Sequence, residues 1–387
     1  MAQTSLDLPF FSEAHRRLVP AFRDWTRREL GPYEDSEGGD GADAKLIFQK
    51  LGQDGWLRHS VDAAGNATGR APDLRMVCLM REALAYSSAM ADVAFSEPWL
   101  AILPLALCGS IEQRLHYVPR YCSGSQLLAF ALSEPEAGSD VAAIAATVTA
   151  THTGFVVDGA KTWTSNSGLA DGYVVFGRMP AQPGKAAITA VLVDGSRPEV
   201  ILERRLRVLS PHTVGTLAFR ACPATDHEPV IGGIGGGFQI AMRALEVFRP
   251  TVAAACVGFA RRAFDEALAR CKERRAFGRS IAEHQIIQAK LADMATRINA
   301  ASMLTYLAAW GSDTGSQEAG ANASVAKLFA SEAAGAVVDE AVQIFGGMGV
   351  VTGTVVERLY RHVRAFRIFD GTSEIQKLII AKHLLNT

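Results

Sequence analysis

The feature that most constrains the fold of this 387-residue chain is a change in the period of its hydrophobic pattern. Up to about Ser125 the apolar residues recur at helical spacing, as they do over Glu13 to Leu30 and over Leu74 to Ser88. From Leu127 to about Arg220 they lie in short segments rich in Val, Thr and aromatic residues, with Gly, Asp or Pro between them. Because these two patterns suit different elements, the chain predicts separate helical and β-sheet parts.

The short segments of the central part predict a mostly antiparallel sheet or a small barrel. They are Ala145 to Thr151, Phe155 to Val157, Tyr173 to Phe176, Ile188 to Val193 and Gly215 to Phe219. A further helix is expected earlier, over Ala44 to Leu57, and a long Ala-rich helical region begins at Phe238. We therefore predict an α+β fold with an N-terminal helical domain over residues 1–126, a middle antiparallel β-domain over 127–232 and a C-terminal helical domain over 233–387.

The composition disfavours several classes of function. Hydrophobic residues make up 49% of the chain and charged residues 20%, which is typical of a globular protein with a large core. The net charge is −1 and no long block of Lys or Arg occurs, so nucleic acid is not an expected partner. No run approaches the ~18 apolar residues of a membrane span, and the first residues do not resemble a secretion signal. We therefore expect a cytoplasmic protein with no membrane partner.

The six cysteines do not follow a metal-binding or disulfide pattern. They form no Cys-x-x-Cys pair, and no histidine lies at the spacing of a zinc site. We therefore expect no metal and reduced, mostly buried thiols. The six are Cys78, Cys108, Cys122, Cys222, Cys256 and Cys271.

A glycine-rich segment, Gly232 to Gly237, separates the predicted sheet from the long helical region. Such glycines could cradle a phosphate, but they lie outside any strand-turn-helix unit with the spacing of a dinucleotide-binding motif. A hinge between sheet and helices is the favoured interpretation. Further on, Pro250 is expected to free the carbonyl of Glu246 and to kink or widen the first long helix.

One carboxylate near the C-terminus, Asp370, stands between an apolar lead-in and a Gly-Thr-Ser turn that could open a helix. The apolar residues before it could desolvate the acid, and Gly371 could let a ligand approach the backbone. These features suit a catalytic base. The structural alternative is ordinary turn-and-cap chemistry, because Asp, Thr and Ser are common at helix starts.

Four further motifs carry polar groups suited to a cofactor, and each has a structural alternative. The turn from Leu132 to Asp140 offers hydroxyls and backbone N–H groups, but ordinary loops use the same residues. Trp163 could pack on a planar ring, although a lone Trp in a sheet is usually core. Gln343 to Gly349 presents an amide before glycines and could equally be a helix stop. Arg274 to Gln285 places a cation, a ring and amide groups between two helices, where a phosphate or solvent would satisfy the arginine.

Taken in order, these motifs resemble those of the acyl-CoA dehydrogenase flavoproteins over essentially the whole chain. Five motifs in one order are far more specific than any one of them. The matching residues are Ser133-Glu134-Pro135 with Ala137-Gly138-Ser139-Asp140, Trp163-Thr164-Ser165-Asn166, Arg274 with Phe277-Gly278, Gln343-Ile344-Phe345-Gly346-Gly347, and Gly371-Thr372-Ser373-Glu374-Ile375-Gln376. The resemblance implies that the C-terminal domain is a four-helix bundle, that FAD binds between the domains, and that the protein is a homotetramer or a homodimer.

The resemblance also implies roles for individual residues. Those expected to line the flavin or to bond to its ring are Phe130, Leu132, Ser133, Gly138, Ser139, Trp163, Ser165, Thr372 and Glu374. Those expected to reach the ADP half of a neighbouring subunit's FAD are Arg274, Phe277, His284, Gln285, Gln343, Gly346 and Gly347. Those expected along the thioester and pantetheine are Ser139, Glu246, Arg249, Gly371 and Lys382.

The activity implied by the resemblance is FAD-dependent α,β-dehydrogenation of an acyl thioester, from acyl-CoA to trans-2-enoyl-CoA. Asp370 would abstract the α-proton, and flavin N5 would take the β-hydride. Hydrogen bonds to the thioester carbonyl would strengthen as enolate character develops. Ile368 and Phe369 could remove water from the acid so that it binds a proton near working pH.

Two departures from the family pattern concern the base. The common residue at position 370 is Glu, and Asp is shorter by one methylene, roughly 1.5 Å, a difference in reach that matters for proton transfer. An alternative base position, just before Arg249, here holds Phe248. Glu246 lies about 200° around the helix from Phe248 and should face elsewhere. Asp370 is therefore the only strong candidate for the base.

Three classes of function compete. The first is an acyl-CoA dehydrogenase that passes electrons to an electron-transferring flavoprotein. The second is a same-fold enzyme that acts on a carrier-protein-bound acyl group, or an O₂-using oxidase similar to nitroalkane oxidases. A non-catalytic relative is disfavoured by the near-neutral charge and by Asp370. Acyl chain length stays open, because Phe95, Trp99 and Phe248 could either shorten the pocket or pack in the core.

Overall fold

The chain divides into two compact units, each built from separate stretches of sequence. The first, called the helical unit, comprises Met1–Ser36, Leu74–Asp92 and Glu246–Thr387. The second, called the sheet unit, comprises Glu37–Asp73 and Val93–Leu245. The computed structural model describes residues 6–36, 41–61, 72–180, 182–226 and 228–386. The three domain boundaries expected from the sequence stay a prediction.

The helices of the described residues lie close to the predicted positions. They are α1 (Glu13–Glu29), α2 (Ala42–Gln53), α3 (Leu74–Ser87), α4 (Ala89–Cys108), α5 (Ile111–Cys122), α6 (Gly237–Glu273), α7 (Gln285–Asp313), α8 (Ala319–Phe345), α9 (Val355–Val363) and α10 (Ser373–Asn386). The helix expected to reach Leu57 ends earlier, because Gly55 takes a left-handed φ of +80° there.

Small residues let helices of the helical unit approach closely. Gly258 of α6 lies against α3, where a Cβ would come within 2.4 Å of the carbonyl oxygen of Glu82. α3 also packs on α1 and α7, and α8 packs on α7, α9 and α10.

Arg81 of α3 is buried and donates to both carboxylate oxygens of Asp92, at 2.8 and 3.3 Å, and to Thr251 Oγ1 at 3.1 Å. Paired in this way, the buried charges of Arg81 and Asp92 link α3, α4 and α6.

The strands of the sheet unit form a mostly antiparallel sheet, which confirms the prediction for this part of the chain. The strands are β1 (Leu128–Ala131), β2 (Thr147–Thr151), β3 (Gly154–Ser165), β4 (Gly172–Arg178), β5 (Ile188–Asp194), β6 (Val200–Leu206), β7 (Val214–Pro223) and β8 (Val230–Ile231). Their order in the sheet is β6-β7-β3-β2-β4-β5-β8, with β1 paired in parallel to β4. β4 and β5 are nearly continuous buried runs that pair along their whole length.

Among the described residues, α4 is long and apolar enough to cross a membrane by length and composition alone. Asp92 and Glu97 lie within it, so it contains no uninterrupted run of ~18 apolar residues, as expected. In the fold, 83% of its most apolar window is buried. The core helix of a folded protein meets the same test of length and hydropathy.

The glycine-rich segment packs against the sheet. The N–H of Gly235 donates to Thr189 Oγ1 at 3.0 Å. A Cβ on Gly237 would lie 2.8 Å from the backbone nitrogen of Ala190, so glycine is needed for this close approach to β5. A hinge at this segment stays a prediction. α6 continues through Pro250 without ending, and the kink expected there also stays a prediction.

A short hairpin interrupts the C-terminal helical region, in the segment that the sequence placed between two helices. Its strands are β9 (Arg275–Ala276) and β10 (Arg279–Ser280), between α6 and α7. The two loop residues have positive φ, +52° at Phe277 and +79° at Gly278. Two positive φ values in a two-residue loop are typical of a type I′ turn, which matches the twist of the strands.

Candidate active site

Asp370 lies in a turn whose backbone is left-handed at two successive residues. φ is +56° at Asp370 and +93° at Gly371. The turn follows the 3-10 helix Arg364–Arg367 and precedes α10. A left-handed backbone is uncommon for a residue with a side chain, although Asp tolerates it better than most. It persists where surrounding contacts hold it, and such residues cluster at functional sites.

Two side chains hold this turn by its carbonyl groups. Nζ of Lys327, from α8, donates to the carbonyl oxygen of Gly371 at 2.7 Å. Nε2 of Gln376, from α10, donates to the same oxygen at 2.9 Å and lies 3.4 Å from the carbonyl oxygen of Asp370. Lys327 and Gln376 are both fully buried. A carbonyl oxygen has two lone pairs, and these two donors account for both at Gly371.

Thr372 supplies a cap for α10. The backbone N–H of Ile375 donates to Thr372 Oγ1 at 3.3 Å. A backbone hydrogen bond and the Thr372 hydroxyl lower the pKa of Glu374. Ser373 instead donates to Oε1 of Glu332 at 2.6 Å. The hydroxyl of Thr372, and not Asp370, therefore caps this helix. The structural alternative of a helix cap does not explain the carboxylate of Asp370.

Two buried cations interact with the charge of Asp370. Burial lowers the pKa of Lys327, and the negative charge of Asp370 is the main effect that opposes the lowering. Burial also lowers the pKa of Arg249, opposed first by Glu246 and then by Asp370. Nε of Arg249 is buried without a hydrogen-bond partner among the described residues, so it is a donor that a ligand could use. Nearby cations favour an ionised carboxylate, which is the state able to accept a proton.

The two apolar residues before Asp370 differ in their surroundings. Ile368 is 55% exposed in this single chain, and its expected desolvation of the acid stays a prediction. Phe369 packs on Phe366, with ring centroids 4.6 Å apart. The charges of Arg249 and Lys327 interact with that of Asp370 in addition to any apolar cover.

The three aromatic residues considered for the acyl pocket are core residues. Phe248 is fully buried, and the guanidinium of Arg81 lies 4.8 Å from its ring centroid. Phe95 and Trp99 are also fully buried, with their rings stacked at 6.4 Å. Trp99 Nε1 donates to the carbonyl oxygen of Ser60 at 2.6 Å. The packing alternative therefore explains these residues, and Phe248 cannot replace Asp370 as a base.

The remaining residues expected along the substrate lie in different surroundings. Glu246 is exposed on α6, and its carboxylate would be 2.8 Å from a Cβ on Gly320 of α8. Lys382 is exposed on α10. Ser139 belongs to the sheet unit and is exposed after the turn that follows β1. Glu246 and Asp370 both act on the charge of Arg249, so Arg249 lies within electrostatic reach of both carboxylates.

The predicted turn after β1 is present and rests on a buried ion pair. Glu134 and Ala137 exchange backbone hydrogen bonds at 3.0 and 3.1 Å. Lys161 of β3 is fully buried and donates to Glu134 Oε1 at 2.6 Å and to the carbonyl oxygen of Leu132 at 3.0 Å. Burial lowers the pKa of Lys161 to about 8, against the attraction of Glu134. The turn that carries Ser133 and its neighbours is thus tied to β3.

Trp163 does not belong to the core. Its side chain is 60% exposed and its φ is +55°, within an irregularity in the pairing of β3 with β7 between Lys161 and Thr164. A bulge of this kind redirects a side chain away from the sheet. An indole projecting from a strand favours the ring-packing interpretation over the core alternative.

Ser165, at the end of β3, belongs to a polar cluster that the sequence analysis missed. Its hydroxyl donates to Glu97 Oε2 at 2.7 Å and lies 2.9 Å from His212 Nε2. Nε2 of His212 and Oε2 of Glu97 are 4.0 Å apart. No motif marks the two partners, and the one available signal is that Glu97 is an acid within the otherwise apolar part of α4.

The polar groups around Trp163 fit a planar, polar cofactor. Thr164 Oγ1 and Asn166 Nδ2 are buried without a hydrogen-bond partner among the described residues. A Cβ on Gly138 would meet no atom within 4 Å, and Ser139 beside it is exposed. Unsatisfied buried polar atoms next to an exposed indole are expected where a ligand supplies the missing partners.

The residues expected at the ADP half of FAD lie at two surface positions of the helical unit. Phe277 is 94% exposed at the tip of the β9-β10 hairpin, after the exposed Arg274. His284 contacts this hairpin, with Nε2 3.3 Å from the carbonyl oxygen of Ala276, and the exposed Gln285 begins α7. The second position, at the C-terminal end of α8, carries Gln343, Gly346 and Gly347, all exposed.

Models of one protein family match the chain in three consecutive stretches. The N-terminal domain of acyl-CoA dehydrogenase matches residues 12–125, its middle domain 129–222 and its C-terminal domain 235–385. The matched stretches leave only short connections and ends between them.

Individual relatives cover nearly the whole chain. The 3-(aryl)acrylate reductase of Clostridium sporogenes is 34% identical over 97% of this chain and 100% of its own length. The structure of butyryl-CoA dehydrogenase from Megasphaera elsdenii superposes with a TM-score of 0.89 at 29% identity, covering 97% of this chain and 99% of that one. The prolyl acyl carrier protein oxidase AnaB has a TM-score of 0.87 at 25% identity, with 97% and 99% covered.

Proposed function

Because this chain belongs to the acyl-CoA dehydrogenase family of flavin oxidoreductases acting on CH–CH bonds, we propose that it converts an acyl-CoA to a trans-2-enoyl-CoA. The observation that carries the proposal is Asp370, which the family motif aligns with the base. Its left-handed turn is held by buried side chains, and its charge interacts with Arg249 and Lys327. A cofactor able to accept a hydride is required for this reaction.

We propose that the cofactor is FAD. When bound, it supplies a hydride acceptor at flavin N5. Trp163 would pack on the ring, Ser165 would bond near N5, and the unpartnered donor of Asn166 fits a polar ring edge. The other residues proposed to hold the flavin are Phe130, Leu132, Ser133, Gly138, Ser139, Thr372 and Glu374.

The protein's own groups would then perform binding and proton transfer. Asp370 accepts the α-proton on its carboxylate, and Arg249 and Lys327 keep that carboxylate ionised before the transfer. The buried Nε–H of Arg249 is available for a hydrogen bond to the substrate. Ser139, Glu246, Gly371 and Lys382 are proposed to lie along the thioester and pantetheine.

A panel of acyl-CoA thioesters, scored by loss of flavin absorbance without oxygen, tests the proposal. We expect at least one straight, branched or cyclic acyl-CoA to reduce the flavin within single turnovers. Buffer and free CoA serve as controls. Failure of every acyl-CoA in the panel would contradict the proposed substrate class.

The second candidate is oxidation of an acyl group on a carrier protein with O₂ as acceptor. The fold similarity to the prolyl acyl carrier protein oxidase favours it as the alternative. Carrier-protein thioesters that reduce the flavin when CoA thioesters do not would support it. Peroxide release without an added acceptor would indicate an oxidase, whereas turnover that depends on electron-transferring flavoprotein supports the dehydrogenase.

The shorter side chain of Asp370 is proposed to suit a bulkier or differently placed acyl group than Glu would. We expect Asp370→Glu to shift the ratio of flavin-reduction rates on straight-chain and branched acyl-CoAs by about 10-fold, because one methylene changes reach and space together. If Asp370→Glu raised activity on straight-chain substrates without changing this preference, the explanation would be wrong.

The exposed residues of the hairpin and of the end of α8 are proposed to contact a neighbouring subunit. Phe277, 94% exposed in this single chain, supports this proposal, because covering its ring with a neighbouring subunit would remove apolar surface from water. A homotetramer or a homodimer would provide this neighbouring subunit. Gln343, Gly346 and Gly347 are proposed to reach the ADP half of the neighbour's FAD. A cytoplasmic location stays a prediction.

A further inference from the structure

The turn that carries Asp370 depends on an ammonium group that no sequence motif identified. Lys327 is fully buried on α8, and its Nζ lies 2.7 Å from the carbonyl oxygen of Gly371. Burying a lysine costs free energy unless the charge is paired and hydrogen-bonded. At this site the carbonyl of Gly371 accepts the hydrogen bond from Lys327. The negative charge of Asp370 is the largest effect that favours the charged form of this lysine.

The backbone of the turn explains why such a tie is needed. Asp370 and Gly371 both have positive φ, and an L-residue in this conformation costs about 1–2 kcal/mol. Without contacts from α8 or α10, the turn would relax and the carboxylate would move with it. Gln376 donates to the same carbonyl oxygen at 2.9 Å, but it is neutral. The site therefore contains one charged and one neutral donor on a single atom.

We propose that Lys327 is the positioning residue for Asp370: its ammonium group ties Gly371 to α8, orients the carboxylate, and keeps it ionised between turnovers. This inference rests on the proposed role of Asp370 as the base. The other groups that act on Lys327 are Arg249 and Cys256 from α6 and Glu332 from α8. Of these three groups, Arg249 is the cation, and like Lys327 it interacts with the negative charge of Asp370.

Lys327→Met and Gln376→Met form a matched pair of variants. Together they separate the effect of the positive charge of Lys327 from the effect of losing a hydrogen bond to the turn. Each removes one donor to the carbonyl oxygen of Gly371, but only the first removes a cation. We expect Lys327→Met to slow flavin reduction by saturating acyl-CoA about 100-fold, since a shift of about 1 Å in a reacting group has that effect. We also expect the acid limb of its pH-rate profile to move up by about one unit, because loss of a cation favours the protonated carboxyl.

Gln376→Met is expected to slow the reaction without moving the acid limb. FAD content and the midpoint of thermal unfolding, measured on both variants, report whether the fold and cofactor site remain intact. An unchanged acid limb in a folded, FAD-loaded Lys327→Met enzyme would overturn the inference, because a purely structural lysine predicts that result.

Lys327→Arg keeps the test decisive if the Met variant does not fold. It retains the charge but is longer, so we expect slower flavin reduction with the acid limb at the wild-type pH. A wild-type rate in Lys327→Arg, or a shifted limb, would overturn the inference. Asp370→Asn and the acyl-CoA panel separate the levels: normal flavin reduction by Asp370→Asn removes the role of Asp370 as the base, and failure of the whole panel removes the proposed function. An inactive Asp370→Asn together with a wild-type Lys327→Met removes only the inference.

Discussion

Replacing Asp370 by Asn should leave FAD bound and slow flavin reduction by acyl thioesters by about four orders of magnitude. The amide has nearly the shape of the carboxylate, so the turn between the 3-10 helix and α10 should persist. It cannot accept the α-proton, however, and general-base catalysis accounts for roughly 10²–10⁴-fold in rate. Arg249 and Lys327 would also lose the carboxylate that opposes the lowering of their pKa values by burial.

The measurement is anaerobic flavin bleaching in a stopped-flow instrument, with FAD content determined on the same sample. Asp339→Asn is a matched control, because Asp339 is an exposed carboxylate on α8, the helix that carries Lys327. Its bleaching rate should equal that of the unmodified enzyme. Normal bleaching by Asp370→Asn would show that another group removes the proton.

Replacing Lys161 by Met should destabilise the sheet unit by about 3–5 kcal/mol and weaken FAD binding. The substitution leaves Glu134 buried without its cation, and breaking one half of a buried pair costs about that much. Glu134 would retain the N–H groups of Ala145 and Ala146, at 2.6 and 3.0 Å. The carbonyl of Leu132 would lose its donor, so the proposed flavin-binding turn would loosen.

Thermal unfolding and the ratio of FAD to protein after gel filtration measure the two effects. Adding Glu134→Gln to Lys161→Met removes the uncompensated charge, so the double variant should be more stable than the single one. If Lys161→Met unfolded at the wild-type temperature with full FAD, the ion pair would not support the turn. A stable variant lacking FAD would indicate that the pair acts only on the cofactor site.

Several features of the site followed from local sequence because local chemistry determines them. The turn after β1 ends a strand in residues that form tight turns, and Glu134 and Ala137 pair there. A threonine two residues after Asp370 could be expected to cap a helix, and Thr372 does so. The exposure of Trp163 could not be predicted, because a local irregularity in strand pairing redirects its side chain.

The partners of these residues could not be predicted, because they come from distant parts of the chain. Lys327 is separated from Gly371 by 44 residues, and Glu97 from Ser165 by 68. Neither pair has a spacing or motif that distinguishes it from ordinary surface charges. The desolvation expected from Ile368 stays a prediction for the same reason, since neighbours in sequence do not determine which side chains cover a group.

By itself, the sequence determined the order of helical and sheet segments, the motifs in family order and Asp370 as the candidate base. These depend on hydrophobic period, turn residues and spacing, which are local properties of a chain. Only the tertiary structure decided that Asp370 lies in a left-handed turn under the charges of Arg249 and Lys327. Burial and charge pairing arise when distant elements pack. They determine how readily the carboxylate of Asp370 binds a proton, whereas the sequence identified only its position in the chain.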